Sequence, residues 1–181
     1  MLDSTDLWLL RAMYVGGASP IWVDVIRVLT FLGSGWMLLG LVPFLFLTKM
    51  RGQAVTLLVT LAVTSAVVAS AKAFAGRVRP CHAQAWMQML PIDLPTDASF
   101  PSGHAAGSFA FAAFVFATHR RAGFALAGLA TLVALSRVAL GVHYPSDVTA
   151  GALLGSALGW MGARGLSAVG LADADSEAVR Q

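Results

Sequence analysis

QAVTLLVTLAVTSAVVASA, residues 53–71, carries no charge across nineteen positions. A helix rises about 1.5 Å per residue, so this run reaches roughly 30 Å, the thickness of a bilayer's hydrocarbon core. It reads as a membrane-spanning helix. The whole chain agrees: of 181 residues, 57% are hydrophobic and only 12% charged, with a mean hydropathy of +0.75, beyond an ordinary soluble domain.

Working outward, further spans are predicted at about 23–48, 104–118, 122–140 and 147–163, giving an all-α membrane bundle of about five crossings. Asp24 and Arg27, three apart, can pair on one helix face. The N-terminal LDSTDLWLLRAMYVGG is too short to span; its Trp8 and Tyr14 suit a helix lying in the interface. Residues 1–170 are expected to form a single membrane-embedded domain and 171–181 a polar, disordered tail. Asp3 and Asp6 stand where a secretory signal would be basic, so no cleavage is expected. Cys81, the one cysteine, has no disulfide partner in the chain and no companion at metal-ligand spacing.

With five crossings, Lys49 and Arg51, Arg120 and Arg121, and Arg164 and Arg180 fall on one side, which should be cytoplasmic. The other side collects Asp3, Asp6, Asp93, Asp97 and Asp147, yet also Lys72, Arg79 and Arg137. Cations that defy the charge bias at span ends point to an anionic partner. Lys72 and Arg79 are seven apart in KAFAGRVRP, so a helix continuing to a stop at Pro80 would bring them to one face. Arg77 falls on another face and reads as a solvated or headgroup charge.

Two more pieces belong with them. In PSGH, Ser102 suits a helix N-cap and Gly103 a close backbone approach, so the first-turn amides make an anion cradle with His104 at its edge. In SRVALGVHYPSD, Arg137 ends one span, His143 lies in the turn and Asp147 opens the next span, with Pro145 in its first turn. A carboxylate four residues after a histidine can accept its Nδ1–H and free Nε2 as a nucleophile. The set reads as a phosphoryl-transfer site: cations and a helix N-terminus for the phosphate, one histidine to attack and one to protonate the departing oxygen. The histidines are scattered and the carboxylates unclustered, so no metal or other cofactor is expected.

Lys72 with Arg79-Pro80, Pro101-Ser102-Gly103-His104, and Ser136-Arg137 with His143 and Asp147 resemble the three-part signature of the type 2 phosphatidic acid phosphatase superfamily, matching at eleven positions. The resemblance implies an all-helical core shared by membrane lipid phosphatases and soluble vanadium haloperoxidases. It also implies roles: His143 as the nucleophile forming a phosphohistidine, Asp147 orienting it, and His104 as general acid. Lys72, Arg79 and Arg137 would bind phosphate, with Ser102 and Gly103 completing the pocket. Divalent metal is not required in the family.

The expected substrate is a lipid phosphate or diphosphate such as phosphatidic acid, phosphatidylglycerol phosphate or undecaprenyl diphosphate, and membrane lipids are the other expected partner. Nothing in the chain points to nucleic acid. The expected setting is a bacterial inner membrane with the site on its outer face. A vanadate-dependent peroxidase and a non-enzymatic transporter or structural protein are the alternatives. His82 reads as a loop residue, His119 as interfacial, and AWMQMLPIDL, residues 85–94, as a packed loop or an amphipathic lid.

Overall fold

The uncharged run lies within one unbroken helix, α3 (Arg51–Ala75), of the computed structural model, which describes residues 4–34, 37, 40, 50–87 and 94–168. The other helices are α1 (Ser4–Met13), α2 (Pro20–Leu32), the short α4 (Pro80–Ala83), α5 (Gly103–Thr118), α6 (Arg120–Ala139) and α7 (Pro145–Ala168). No strand occurs among the described residues, and the chain is all-α as expected. The spans predicted at 104–118, 122–140 and 147–163 correspond to α5, α6 and α7, and the one at 23–48 begins in α2. Most of its remainder, residues 88–93 of the lid candidate, and the tail at 171–181 lie outside the described residues.

On α3, Ala54, Leu57, Leu61, Thr64 and Val68 are buried at intervals of three or four residues and make one face. Val55, Val59, Val63 and Val67 make another, and all four are exposed. An apolar stripe left open in this way suits lipid, not water. Among the described residues, the runs Arg51–Ala83 and Arg120–Ala139 have the length and apolarity to cross a bilayer; α5 is apolar but shorter.

The contact that matters most for the site is α5 on α7. Gly151, Gly155 and Gly159 recur every fourth residue on α7, and a β-carbon at Gly155 or Gly159 would collide with the Ala106 or Ala110 carbonyl of α5. The two backbones touch through small residues, as helices packed within lipid commonly do. Their ends are pinned as well, since the Ser102 N–H donates to the Asp147 carbonyl at 3.0 Å. The PSGH segment therefore sits directly against the start of α7. At the same end, α1 buries Asp6 and Leu10, the latter among Ala134, Val138, Tyr144 and Val148, and leaves Trp8 exposed.

One local expectation is corrected. The predicted helix does not run to Arg79: α3 ends at Ala75, where Gly76 adopts a left-handed φ of 54° and closes its N–H on the Lys72 carbonyl at 3.1 Å. A glycine there ends a helix at little steric cost. Pro80 starts α4 instead of stopping α3. Lys72 and Arg79 meet because the chain turns back, not because they share a helix face.

Candidate active site

Asp147 is the third residue of α7, and its Oδ2 accepts the Tyr144 N–H at 2.8 Å. This is the carboxylate half of a capping box, so the helix start itself fixes the side chain. His143 lies in the preceding turn, 1% exposed, with Nδ1 3.5 Å from the same Oδ2. That spacing is an ion-pair distance but not a formed hydrogen bond, and Nδ1 has no other partner. Burial pushes the His143 imidazole down to about 4; Asp147 opposes the shift, while Arg137 and Arg79 add to it. The ring is therefore neutral near pH 7.

Its other nitrogen faces a cation. Arg79, buried, places Nη1 3.0 Å from His143 Nε2 and 2.8 Å from the Val142 carbonyl. The opposite edge of the guanidinium donates from Nε to the Asp97 carbonyl at 2.8 Å and from Nη2 to Asp97 Oδ1 at 2.7 Å. Lys72 reaches the same loop, with Nζ 2.6 Å from Asp97 Oδ2 and 2.5 Å from the Ala98 carbonyl. Despite its partial burial, which works the other way, Asp97 is held at about 2 by Lys72 and Arg79. Arg137 is buried beside them with Nε unpartnered. A buried guanidinium donor without an acceptor is costly, and a site that keeps one is built to receive an anion.

Ser102 caps α5 as expected, its hydroxyl accepting the Ala105 N–H at 3.4 Å. A β-carbon on Gly103 would make only an ordinary contact with Val68, so packing within the chain does not demand glycine there. His104 follows, half-buried, in the field of Arg137, His143, Arg79 and Lys72. Lys72, Gly103 and His104 line one end of a cavity of about 450 Å³ whose walls continue along α3 past Val68 and Leu61 to Leu58. From Lys72 to Leu58 is fourteen residues, or roughly 21 Å of helix. The structure thus brings together all eight residues singled out from the sequence: Lys72, Arg79, Ser102, Gly103, His104, Arg137, His143 and Asp147.

Three further residues were not foreseen. Arg77 is not a free surface charge: Nη1 lies 2.5 Å from Asp147 Oδ1 and 2.7 Å from Ser146 Oγ, and Nη2 lies 2.8 Å from Asp6 Oδ2. Asp6 also accepts the Ser146 N–H at 2.9 Å. Burial works against both charges, but the hydrogen bonds of the network outweigh it, raising the Arg77 guanidinium and lowering the Asp6 carboxyl. Asp97 is the third. The available signal was the excess of carboxylates on the side that also collects the anomalous cations.

The remaining polar residues have plain roles. Ser136, beside Arg137 in the sequence, turns to Thr30 of α2 at 2.7 Å and joins two helices. His82 is exposed and bonds the Pro95 carbonyl, and exposed His119 contacts Thr118 at the far end of α5. Trp86 packs edge-on against Tyr14, with Arg11 over its ring.

Comparison with known proteins places this geometry. A sequence model of the PAP2 superfamily matches residues 53–169. The decaprenylphosphoryl-5-phosphoribose phosphatase of Mycobacterium tuberculosis is 35% identical over 126 residues, covering 69% of this chain and 68% of that protein. The crystal structure of Aquifex aeolicus LpxE superposes with a TM-score of 0.76 at 28% identity, over 90% of this chain and 96% of that one. A transmembrane PAP2-type phosphatidylglycerolphosphate phosphatase from Bacillus subtilis gives 0.73 at 25% identity, over 91% and 85%.

Proposed function

The chain belongs to the PAP2 superfamily, and from that premise we propose that it is an integral membrane phosphatase removing the terminal phosphate of a lipid phosphate or diphosphate. The observation that carries this reading is the junction of two environments. Arg79 meets neutral His143, Lys72 shares Asp97 with Arg79, Arg137 is buried nearby with Nε unpartnered, and an apolar-walled cavity leads away from Lys72 and His104. A phosphate on a long hydrocarbon tail fits both parts, the head among the cations and the tail along α3.

In this reading His143 Nε2 attacks phosphorus while the bond to the lipid oxygen breaks, and His104 gives that oxygen its proton. Arg79 Nη1 moves from Nε2 to a phosphoryl oxygen as the new N–P bond forms. Water then attacks the phosphohistidine, losing its proton to His104, and inorganic phosphate leaves. Asp147 holds the charge that builds on the imidazole, and Ser102, Gly103 and the first-turn amides of α5 receive phosphoryl oxygens. No role falls to a metal ion. Phosphatidic acid, phosphatidylglycerol phosphate and undecaprenyl diphosphate all fit this description, and two of the three relatives are named as phosphatases of decaprenylphosphoryl-5-phosphoribose and of phosphatidylglycerolphosphate. We place the protein in a bacterial inner membrane with the site on the outer face, because Arg51, Arg120, Arg121 and Arg164 mark the opposite end of the bundle.

The test is phosphate release by the purified protein in detergent from a panel of these three lipids, with excess chelator present. Release that survives chelation, with phosphate trapped on His143, is expected. Absence of release from every lipid phosphate in the panel would end the phosphatase reading, and loss on chelation restored by Mg²⁺ or Zn²⁺ would end the metal-free mechanism.

A further inference from the structure

We propose that Asp97 is a positioning residue of the phosphate pocket, holding Lys72 and Arg79 by their outer edges so that the third Lys72 N–H and the Arg79 Nη1 beside His143 face the phosphoryl group. The identity of the ligand rests on the phosphatase reading above; the positioning does not. Asp97 lies outside every segment of the sequence signature, three residues before the cis Phe100–Pro101 bond that leads into Ser102.

The donors can be counted. A guanidinium has five N–H groups, and those of Arg79 divide by edge. Nε and Nη2 go to the Asp97 carbonyl, the Asp97 carboxylate and, at 3.4 Å, the Ala98 carbonyl. Nη1 goes to the Val142 carbonyl and to His143 Nε2. Asp97 therefore grips the edge away from the nucleophile and leaves the near edge beside it. Lys72 is similar: two of its three N–H groups go to Asp97 Oδ2 and the Ala98 carbonyl, which leaves one.

Place in the pocket separates this role from that of a plug. The Asp97 side chain is 57% exposed, at the rim, whereas Arg79, Arg137 and His143 are buried. A carboxylate filling the phosphate position would lie between Arg79 and His143; this one lies on the opposite edge of that guanidinium. Two like charges also repel when no ligand is bound, and a carboxylate bridging them keeps both aimed before the substrate arrives. The same pairing keeps Asp97 ionised at every pH at which the enzyme would work. Orientation of this kind is a large lever, since a misplacement of about 1 Å can cost on the order of 10²-fold in rate.

The experiment measures orthovanadate affinity by ligand-dependent thermal stabilisation in detergent, with KM and kcat on an active lipid phosphate alongside. Asp97→Asn keeps the size but offers one acceptor without charge. Its vanadate dissociation constant and KM should both rise by about tenfold or more, the scale expected for a misaimed ligand group. Asp97→Glu should recover part of the loss. Vanadate affinity unchanged in Asp97→Asn would make the residue merely structural, and tighter affinity would make it a competitor for the pocket; either overturns the proposal. Should Asp97→Asn fail to fold, Asp97→Glu alone decides, by weakened against unchanged vanadate binding. Wild-type protein that binds vanadate but hydrolyses no lipid phosphate removes the phosphatase reading and leaves Asp97 standing. Wild-type protein that binds neither vanadate nor phosphate removes both.

Discussion

Arg77 holds Asp147 from the side away from His143. Its Nη1 meets Oδ1 at 2.5 Å, while Oδ2 takes the Tyr144 N–H and faces the imidazole. The same guanidinium reaches Asp6 of α1 and lies 4.2 Å over the Tyr144 ring, so the N-terminal helix is connected through one side chain to the carboxylate behind His143. A lysine is a point charge and cannot bridge two carboxylates while stacking on a ring. Arg77→Lys should lower kcat by about tenfold and Arg77→Ala by roughly 10²-fold, with less effect on KM, because orientation is lost and not phosphate binding. A second readout separates this from simple damage. Removing the cation leaves the Asp147 charge uncompensated, which favours imidazolium, so the acid limb of the pH–rate profile should move to higher pH.

That limb has a predicted position. Burial lowers His143 to about 4, with Arg137 and Arg79 acting in the same direction and Asp147 against them. A depressed value keeps the neutral, nucleophilic ring populated as pH falls below the ordinary histidine range near 6.5, and activity dependent on it is lost only as pH approaches about 4. Phosphate monoesters titrate near pH 6 themselves, so the rate alone is ambiguous. Carbon-13 labelled histidine followed by NMR in detergent avoids this, with His143→Ala identifying the resonance. A ring that titrates near 6.5 would contradict the burial.

The signature residues could be read from the chain because each piece is local: a cap before a helix, or a histidine and a carboxylate four apart across a helix start. Their burial against one another follows from the small residues of α7, which the sequence reading passed over. Asp97 and Arg77 were missed for a different reason. Asp97 contacts Lys72 across 25 positions, and Arg77 contacts Asp6 across 71, through side chains that no periodicity connects. The helix assumed to run to Arg79 also sent Arg77 to the wrong face. Once Gly76 breaks that helix, Arg77 is free to reach α1 and α7.

The glycine stripe on α7 makes a packing prediction. Gly155→Val puts a branched side chain where even a β-carbon collides with the Ala106 carbonyl, and backbone cannot yield as a flexible side chain does. The substitution should destabilise the fold by about 2 kcal/mol or more and separate Ser102 from Asp147, abolishing activity. Gly128→Ala on α6 is the control, since nothing lies within 4 Å of its β-carbon. It should be neutral or stabilising by up to about 1 kcal/mol through helix propensity. Thermal unfolding in one detergent checks both; equal melting temperatures for Gly155→Val and wild type would show that α5 and α7 are not packed this way.

The last prediction divides the work of the two histidines. If His143 attacks phosphorus, His143→Ala should abolish the covalent intermediate and cost on the order of 10³-fold or more in rate. His104 lines the cavity with Lys72 and Gly103, and in the proposed mechanism it serves the leaving group instead. An alkoxide leaving from a lipid needs a proton, so His104→Ala should slow lipid phosphate hydrolysis by roughly 10² to 10⁴-fold, the usual size of a general-acid contribution. An activated aryl phosphate releases a phenolate that departs unaided, so the same variant should lose far less on that substrate. The comparison is internal to one protein preparation, which removes differences in folding or detergent from the ratio. Equal losses on the two substrates would remove the general-acid role, and phosphate trapped on His104 in place of His143 would reverse both assignments.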